Sequence, residues 1–296
     1  MTPWDFFSVL TSSRRSSTQA APPRPVSKLA SSSPEPKAYP FPGRAAVEAL
    51  APFETWPPDS PIQRDAHVAR WILEGKLDPV DWIPIHVRGG LFVQVSGDGV
   101  KFGGVRLCCS QVAAQWVADA LGALTPTAGI TDAIWRAANI RLGPLPLDPN
   151  PGGNVRAWLR EQDRIEAELV EARAWRAAHM APRLEPDLVA DVGKDYVLDA
   201  RLLERPGQCA IYGWRSLAGV PIQSPATGAS LLHRLSFYDY SHAVRVVKRE
   251  AILHGARVDL AEIYRTRPEL VTWPGYPAPP TRHPSVPLLP RLPPSV

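Results

Sequence analysis

Apolar residues recur at helical spacing in four stretches of the chain. Val68, Trp71 and Ile72 share one face and predict a helix near 63–75 that closes at Gly75. Val112, Ala113, Trp116, Val117 and Ala120 predict a second helix, capped by Ser110 and stopped at Gly122. Ile134, Trp135 and Ala138 predict a third over 131–140, capped by Thr131 or Asp132. The longest run, Val155, Trp158, Leu159, Ile165, Leu169, Ala172 and Trp175, predicts an amphipathic helix over 155–180, with Arg164 and Glu168 paired at i,i+4 on its outer face. The tryptophans of these stretches (Trp71, Trp116, Trp135, Trp158 and Trp175) all fall on faces that read as core.

Between the helices the period drops to two. Residues 82–87 and 91–95 read as strands joined at Gly89-Gly90, and Ser96-Gly97-Asp98-Gly99 signals a hairpin across which 100–102 would pair back. Val105 to Cys109 reads as the strand that feeds the Ser110 helix. Further strands are predicted at 194–198, 208–214, 236–248 and 252–260, with a loop across 219–230. Helices and strands do not alternate regularly, so the fold class is α+β, a mostly antiparallel sheet with packed helices, and not a doubly wound sheet. The core spans 45–271, and the Pro/Gly-rich stretch 143–153 marks an internal boundary.

Composition adds the ends. Of 34 prolines, eight lie in residues 1–44 and nine in 272–296. The six Lys and Arg of 1–44 outnumber Asp5 and Glu35 to give +4, and Arg282 and Arg291 give the C-terminal arm +2. Since the whole chain carries +4, its middle is left at −2. A core that reads nucleic acid carries positive charge on its folded surface, so nucleic acid is not an expected partner. Proline-rich arms with too little apolar surface to fold alone, but with anchors at Trp4, Phe6 and Phe7 and at Trp273 and Tyr276, are suited to binding other protein subunits. No stretch approaches the ~20 apolar residues of a membrane span. The charges Arg14 and Arg15 follow the apolar head instead of preceding it, which predicts cytoplasmic synthesis without a classical signal peptide. Cys108, Cys109 and Cys209 show no paired spacing and read as buried thiols.

Polar residues able to do chemistry are densest between 209 and 245. His242 and His233, with Asp239 as orienting group, form a candidate general acid–base set, and Tyr212, Trp214 and Arg245 are candidates to line a substrate groove. Arg245 and Tyr212 with Lys194 would also suit an anionic substrate group. His242, His233 and Asp239 could instead hold a metal, although His-x8-His with one nearby Asp is not a recognised ligand spacing, and no phosphate loop or other cofactor motif occurs. On a regular strand Tyr238, Tyr240 and His242 would face one side and Asp239 and Ser241 the other, which sets Ser241 and His242 back to back. The plain alternative is that these are hydrogen-bonded residues of an ordinary half-buried strand.

The set Ile211-Tyr212-Gly213-Trp214, Pro221-Ile222-Gln223 and Tyr238-Asp239-Tyr240-Ser241-His242 with Arg245, preceded by Leu124-Thr125-Pro126-Thr127, resembles a signature of a group of bacterial and phage-associated proteins over residues 91–265. It departs from that signature at Ala243, where the group has glycine. The resemblance implies a shared fold and a shared site. The polar cluster with this resemblance leads to one expectation, a hydrolase acting on a bacterial cell-envelope polymer such as peptidoglycan; the arms lead to the other, a non-enzymatic structural protein, such as a virion component, whose arms bind neighbouring subunits.

Overall fold

The computed structural model describes residues 61–147, 151–181, 185–223 and 228–289. The expected N-terminal arm, with Trp4, Phe6 and Phe7, lies outside the described residues.

The chain folds as α+β around mostly antiparallel sheets. The larger sheet is antiparallel throughout. Strand β1 (Trp82–Arg88) turns through Gly89-Gly90, both at positive φ, into β2 (Leu91–Ser96). Alternation along β1 puts Ile83, Ile85 and Val87 inward. β2 is central, and its other neighbour is the distant strand β12 (Val247–Leu253), with Val93 opposite Ala251. β13 (Ala256–Asp259) extends the sheet on the far side of β12, and β5 (Ala123–Leu124) pairs with the start of β12. Helices α3 (Ala128–Ala137) and α5 (Leu260–Thr266) bury Ile130, Ile134, Leu260, Ile263 and Tyr264 against this sheet.

Because β2 pairs with β12, the chain does not double back at Ser96–Gly99, which corrects the expected hairpin. Asp98 there accepts from the Gly99 amide and takes the Arg106 guanidinium on both oxygens at 2.7 and 2.6 Å. The hairpin comes one pair of glycines later. Gly103 and Gly104, at φ of 54° and 82°, join β3 (Lys101–Phe102) to β4 (Val105–Arg106), a turn that needs left-handed backbone at both positions.

Helix α2 (Gln111–Ala120) starts where its cap predicts. The Ser110 hydroxyl accepts from the Val112 amide and donates to Asp65 of α1 (Pro61–Leu73) at 2.5 Å. Helix α3 begins earlier than expected. Thr127, not Thr131 or Asp132, caps it, and Asp132 is thereby placed inside the helix, beyond its first turn, with its carboxylate accepting from Arg215. Helix α4 (Val155–His179) matches its periodicity, and Arg164 bonds Glu168 at 2.6 Å. Of the five helix tryptophans, Trp71 and Trp158 are buried, Trp71 stacked on Phe102 and Trp158 donating to the Arg106 carbonyl. Trp116, Trp135 and Trp175 are half-buried, and Trp175 stacks on His179 near the exposed end of α4.

The 143–153 stretch does not separate two cores. Ile140 and Leu142 before it pack with Ile165, Leu169, Val189 and Val192 after it, and β6 (Ile140–Arg141) pairs in parallel with β7 (Val189–Ala190). The described part of the C-terminal arm lies on the chain's own core. Trp273 meets Tyr212 edge to face, Arg282 pairs with Asp119, and buried His283 approaches the Gln208 carbonyl. No helix among the described residues is long and apolar enough to cross a membrane.

A second sheet carries the candidate site. Its order is β10 (Pro221–Gln223), β9 (Ile211–Arg215), β8 (Lys194–Tyr196) and β11 (His242–Ala243), antiparallel except for the parallel pair β8–β11.

Candidate functional site

The register of β8 with β11 puts Lys194 directly beside His242. That approach depends on Gly193, where an added Cβ would stand 2.5 Å from the Ser241 carbonyl, the same carbonyl that accepts from the Lys194 amide at 2.7 Å. Period-two alternation then sends Lys194 and Tyr196 to one side of β8 and Asp195 to the other.

The first side gathers the residues nominated as acid–base groups. Asp239 takes the Lys194 ammonium on Oδ2 at 2.7 Å, and takes the Ser241 amide and hydroxyl on Oδ1 at 3.0 and 2.6 Å. The His242 imidazole stands with Nε2 3.9 Å from Asp239 Oδ1 and Nδ1 2.6 Å from the Tyr196 hydroxyl. His233 stacks on Phe237 at 3.8 Å, and Phe237 meets His242 edge to face. His242, Asp239 and Ser241 are buried, whereas His233 is half-buried and is where the cluster meets solvent. His233, Asp239 and His242 are thus brought together.

They come together for a reason the strand reading lacked. Residues 237–241 are not a strand. The Asp239 side chain captures the Ser241 amide and its carbonyl accepts from the His242 amide, a local turn of the kind short polar side chains favour over a sheet ladder. The turn swings Asp239 to the same side as His242. The strand expected over 236–248 is therefore replaced by this loop, the short β11 and β12.

Burial pushes the His242 pKa down to about 4; Asp239 opposes the shift, while Lys194 and His233 add to it. Burial works the other way on Asp239, but neighbouring His242 and Lys194 and the hydrogen bonds from Lys194 and Ser241 outweigh it and hold the carboxyl well below its usual range. At neutral pH the site holds an ionised Asp239 beside a neutral His242. Burial, then Lys194, also lowers the pKa of His233. The thiols are not nucleophiles here: burial raises Cys108 and Cys209 to about 12 and Cys109 well above its ordinary value.

Trp214 completes this side. The Lys194 ammonium lies over its ring at 5.0 Å. Its backbone has φ of 53°, in the left-handed region that bulky side chains avoid, and Asp191 is similar at 56°. Among the described non-glycine residues only His254, in the β12–β13 turn, shares that conformation. The two outliers flank the β8–β9 pair around Lys194 and Gly213, and backbone strain of this kind clusters at functional sites. Two buried polar atoms on this side, Trp214 Nε1 and His242 Nε2, have no hydrogen-bond partner among the described residues.

Tyr212 and Arg245, nominated with Trp214 for a groove, lie on the opposite side of β8. The Arg245 guanidinium is fully buried; it donates to the carbonyls of Ser96 and Val189 at 2.7 Å each and faces Asp195 at 3.6 Å. The Tyr212 hydroxyl donates to Asp132 at 3.0 Å, beside Arg215, which bridges Asp132 and Asp191. Tyr196 was not singled out from sequence, although its position two residues after Lys194 was the available signal. No group of three or more His, Cys, Asp or Glu among the described residues is placed to hold a metal ion.

Comparison of the chain with protein-family models, with curated proteins and with solved structures finds no match. The reading of the site therefore rests on its geometry.

Proposed function

We propose that the chain is a hydrolase whose general base is His242. The observation that carries this is the buried Nε2 without a partner, standing beside an ionised carboxylate. A structural histidine in a folded core normally has both ring nitrogens satisfied. In this reading Nε2 takes a proton from the attacking water, and the imidazolium so formed is stabilised by Asp239 3.9 Å away. The proton passes on to the leaving group. Lys194, with one N–H on Asp239, offers its others to the oxygen on which negative charge develops. Nε2 is itself buried, so this reading requires the site to open to substrate, and we place that opening on the side of half-buried His233 and Phe237. A bacterial cell-envelope polymer such as peptidoglycan is the substrate class we assign, on the resemblance of the Tyr212-to-Arg245 signature.

The test is release of soluble fragments from dye-labelled peptidoglycan by the full chain and by His242→Gln, with urea unfolding of both. We expect a loss of ~100-fold or more in the variant, with an unfolding midpoint close to that of the wild type. Equal release from both, or none from the wild type, would overturn the reading and leave the non-enzymatic assembly role, with arms binding neighbouring subunits, as its replacement.

A further inference from the structure

Sequence nominates Asp239 as the group that orients the catalytic imidazole, by analogy with carboxylates that hold a histidine in one tautomer. The geometry assigns that task elsewhere. Asp239 lies on the Nε2 side of the ring, 3.9 Å away, and its oxygens are committed to Lys194 and Ser241. The nitrogen that is held is Nδ1, and Tyr196 holds it.

The tautomer follows from counting hydrogens. The Tyr196 oxygen has three close neighbours: the Cys109 carbonyl at 2.9 Å, the Phe237 carbonyl at 2.8 Å and His242 Nδ1 at 2.6 Å. A phenol carries one hydrogen, and both carbonyls can only accept. If that hydrogen went to Nδ1, two carbonyl oxygens would sit within 2.9 Å of the phenol oxygen with nothing between. With the hydrogen shared between the carbonyls, the shortest contact is made by the ring, Nδ1–H donating to the phenol oxygen. The Asp239 amide also directs its hydrogen at this nitrogen, but at 3.4 Å, beyond the ordinary N–H range, and the Nδ1–H tautomer gives up this longer contact to make the 2.6 Å one. Tyr196 is 1% exposed, and burial raises its pKa well above the ordinary value, so it remains a phenol.

We infer that Tyr196 is the positioning residue of the site: by accepting from Nδ1–H it fixes His242 in the tautomer whose bare nitrogen, Nε2, lies beside the ionised Asp239. The inference rests on the reading of His242 as a base. It adds that a backbone-anchored tyrosine takes the orienting role and that Asp239 serves the charge of the imidazolium. The two carbonyls belong to the residue before the α2 cap and to the loop leading to Asp239, so the phenol sets the ring against two fixed segments.

The experiment is nitrogen-detected NMR of the imidazoles in the full chain labelled with 15N-histidine at pH 7, with His242 assigned by its disappearance in His242→Gln. The expected wild-type signal is the neutral form protonated at Nδ1. Tyr196→Phe should shift His242 towards the Nε2–H form and lower kcat on labelled peptidoglycan by ~10-fold or more, leaving KM little changed, since a wrong tautomer removes the base and not the binding. An Nε2–H signal in the wild type overturns the inference, and so does an unchanged Nδ1–H signal in folded Tyr196→Phe. If Tyr196→Phe does not fold, the wild-type tautomer decides the question alone. An Nδ1–H wild type that hydrolyses nothing upholds the role of Tyr196 in holding the ring and overturns the hydrolase reading, so the two fail separately.

Discussion

On one side of β8, Lys194 and Tyr196 meet Asp239, Ser241 and His242; on the other, Asp195 and Asp191 meet Arg215 and Arg245. Both clusters are buried and both contain carboxylates and cations, yet they are wired differently. On the Arg side nearly every donor is spent on structure. Arg245 joins β2 to β7 through two backbone carbonyls, and Arg215 bridges Asp132 and Asp191 with its guanidinium near the Trp135 and Tyr212 rings. Among its atoms without a hydrogen bond, Asp195 Oδ1 and Arg245 Nε face each other as opposite charges, and Thr131 Oγ1 is a third. The His side has one ammonium on one carboxylate and a neutral ring whose outer nitrogen faces no donor. Spent donors hold segments together, and an unspent lone pair in a buried site is available for chemistry.

The largest expected effect breaks the Arg side. Arg245→Met keeps the bulk of the side chain but removes the donors of the Ser96 and Val189 carbonyls and strands Asp195 in a buried site. Removing one partner of a buried ion pair costs about 3–5 kcal/mol, and we expect a loss of that size in urea unfolding. His242→Gln, on the other side of the same strand, should move the midpoint far less. Similar losses from the two substitutions would erase the distinction between the clusters.

Acid sharpens the comparison, because the two sides respond with opposite signs. His242 titrates near 6.5 in the unfolded chain and about 4 in the fold. Between those values the unfolded chain binds the extra proton, so this group's contribution to stability is present above pH 6.5 and is lost as the pH falls towards 4. Asp191 is the reverse: burial, opposed by Arg215, raises it from 3.8 to about 6. Its contribution is fully present below pH 3.8 and is lost as the pH rises through 6. Each change is on the order of 3 kcal/mol. Unfolding free energies from pH 4 to 6.5 for wild type, His242→Gln and Asp191→Asn read the two directly. Relative to His242→Gln the wild type should weaken on acidification; relative to Asp191→Asn it should strengthen. Difference curves that run parallel to the pH axis would dismiss both assignments.

The sequence showed where these clusters lie better than how they are wired. Long periodic elements were legible because many side chains agree on one face: α4 over 155–179, β1, β2, and α2 with its Ser110 cap. The polar density of 209–245 pointed to His233, Asp239 and His242, which the fold brings together, while Lys194 and Tyr196 of the same cluster lie outside that window. The side-chain directions there were not legible, because Asp239 trades the strand ladder for a turn built on its own carboxylate, and five residues of apparent alternation become a loop. Tyr196 was hidden for another reason. Its role depends on the parallel pairing of β8 with β11, strands more than forty residues apart, and on carbonyls at 109 and 237 that carry no side-chain signal. Arg245 shows the converse, a residue that looks like a ligand because arginine is seldom buried, spent here on two backbone oxygens.

The smallest expected effect decides what the proposed base acts on. Ser241 adjoins His242 in sequence, which invites a serine nucleophile activated by that histidine. The wiring argues against it. The Ser241 hydroxyl donates to Asp239 Oδ1 at 2.6 Å, and the carboxyl it faces is held ionised. A nucleophilic serine needs its hydrogen directed at the base, and this one is directed at an acceptor too weak to remove it. Ser241→Ala removes one of two donors to Oδ1; the backbone amide of residue 241 remains, as does Lys194 on Oδ2. A hydrogen bond to a charged group contributes about 1.5–3 kcal/mol, and with the other donors in place we expect the low end of that range in urea unfolding. Peptidoglycan release should fall by no more than ~3-fold, since Asp239 keeps its charge beside Nε2 and the attacking group is water. Loss of activity as complete as in His242→Gln would make Ser241 the nucleophile. In that case the hydroxyl must turn from Asp239 to His242 when substrate binds.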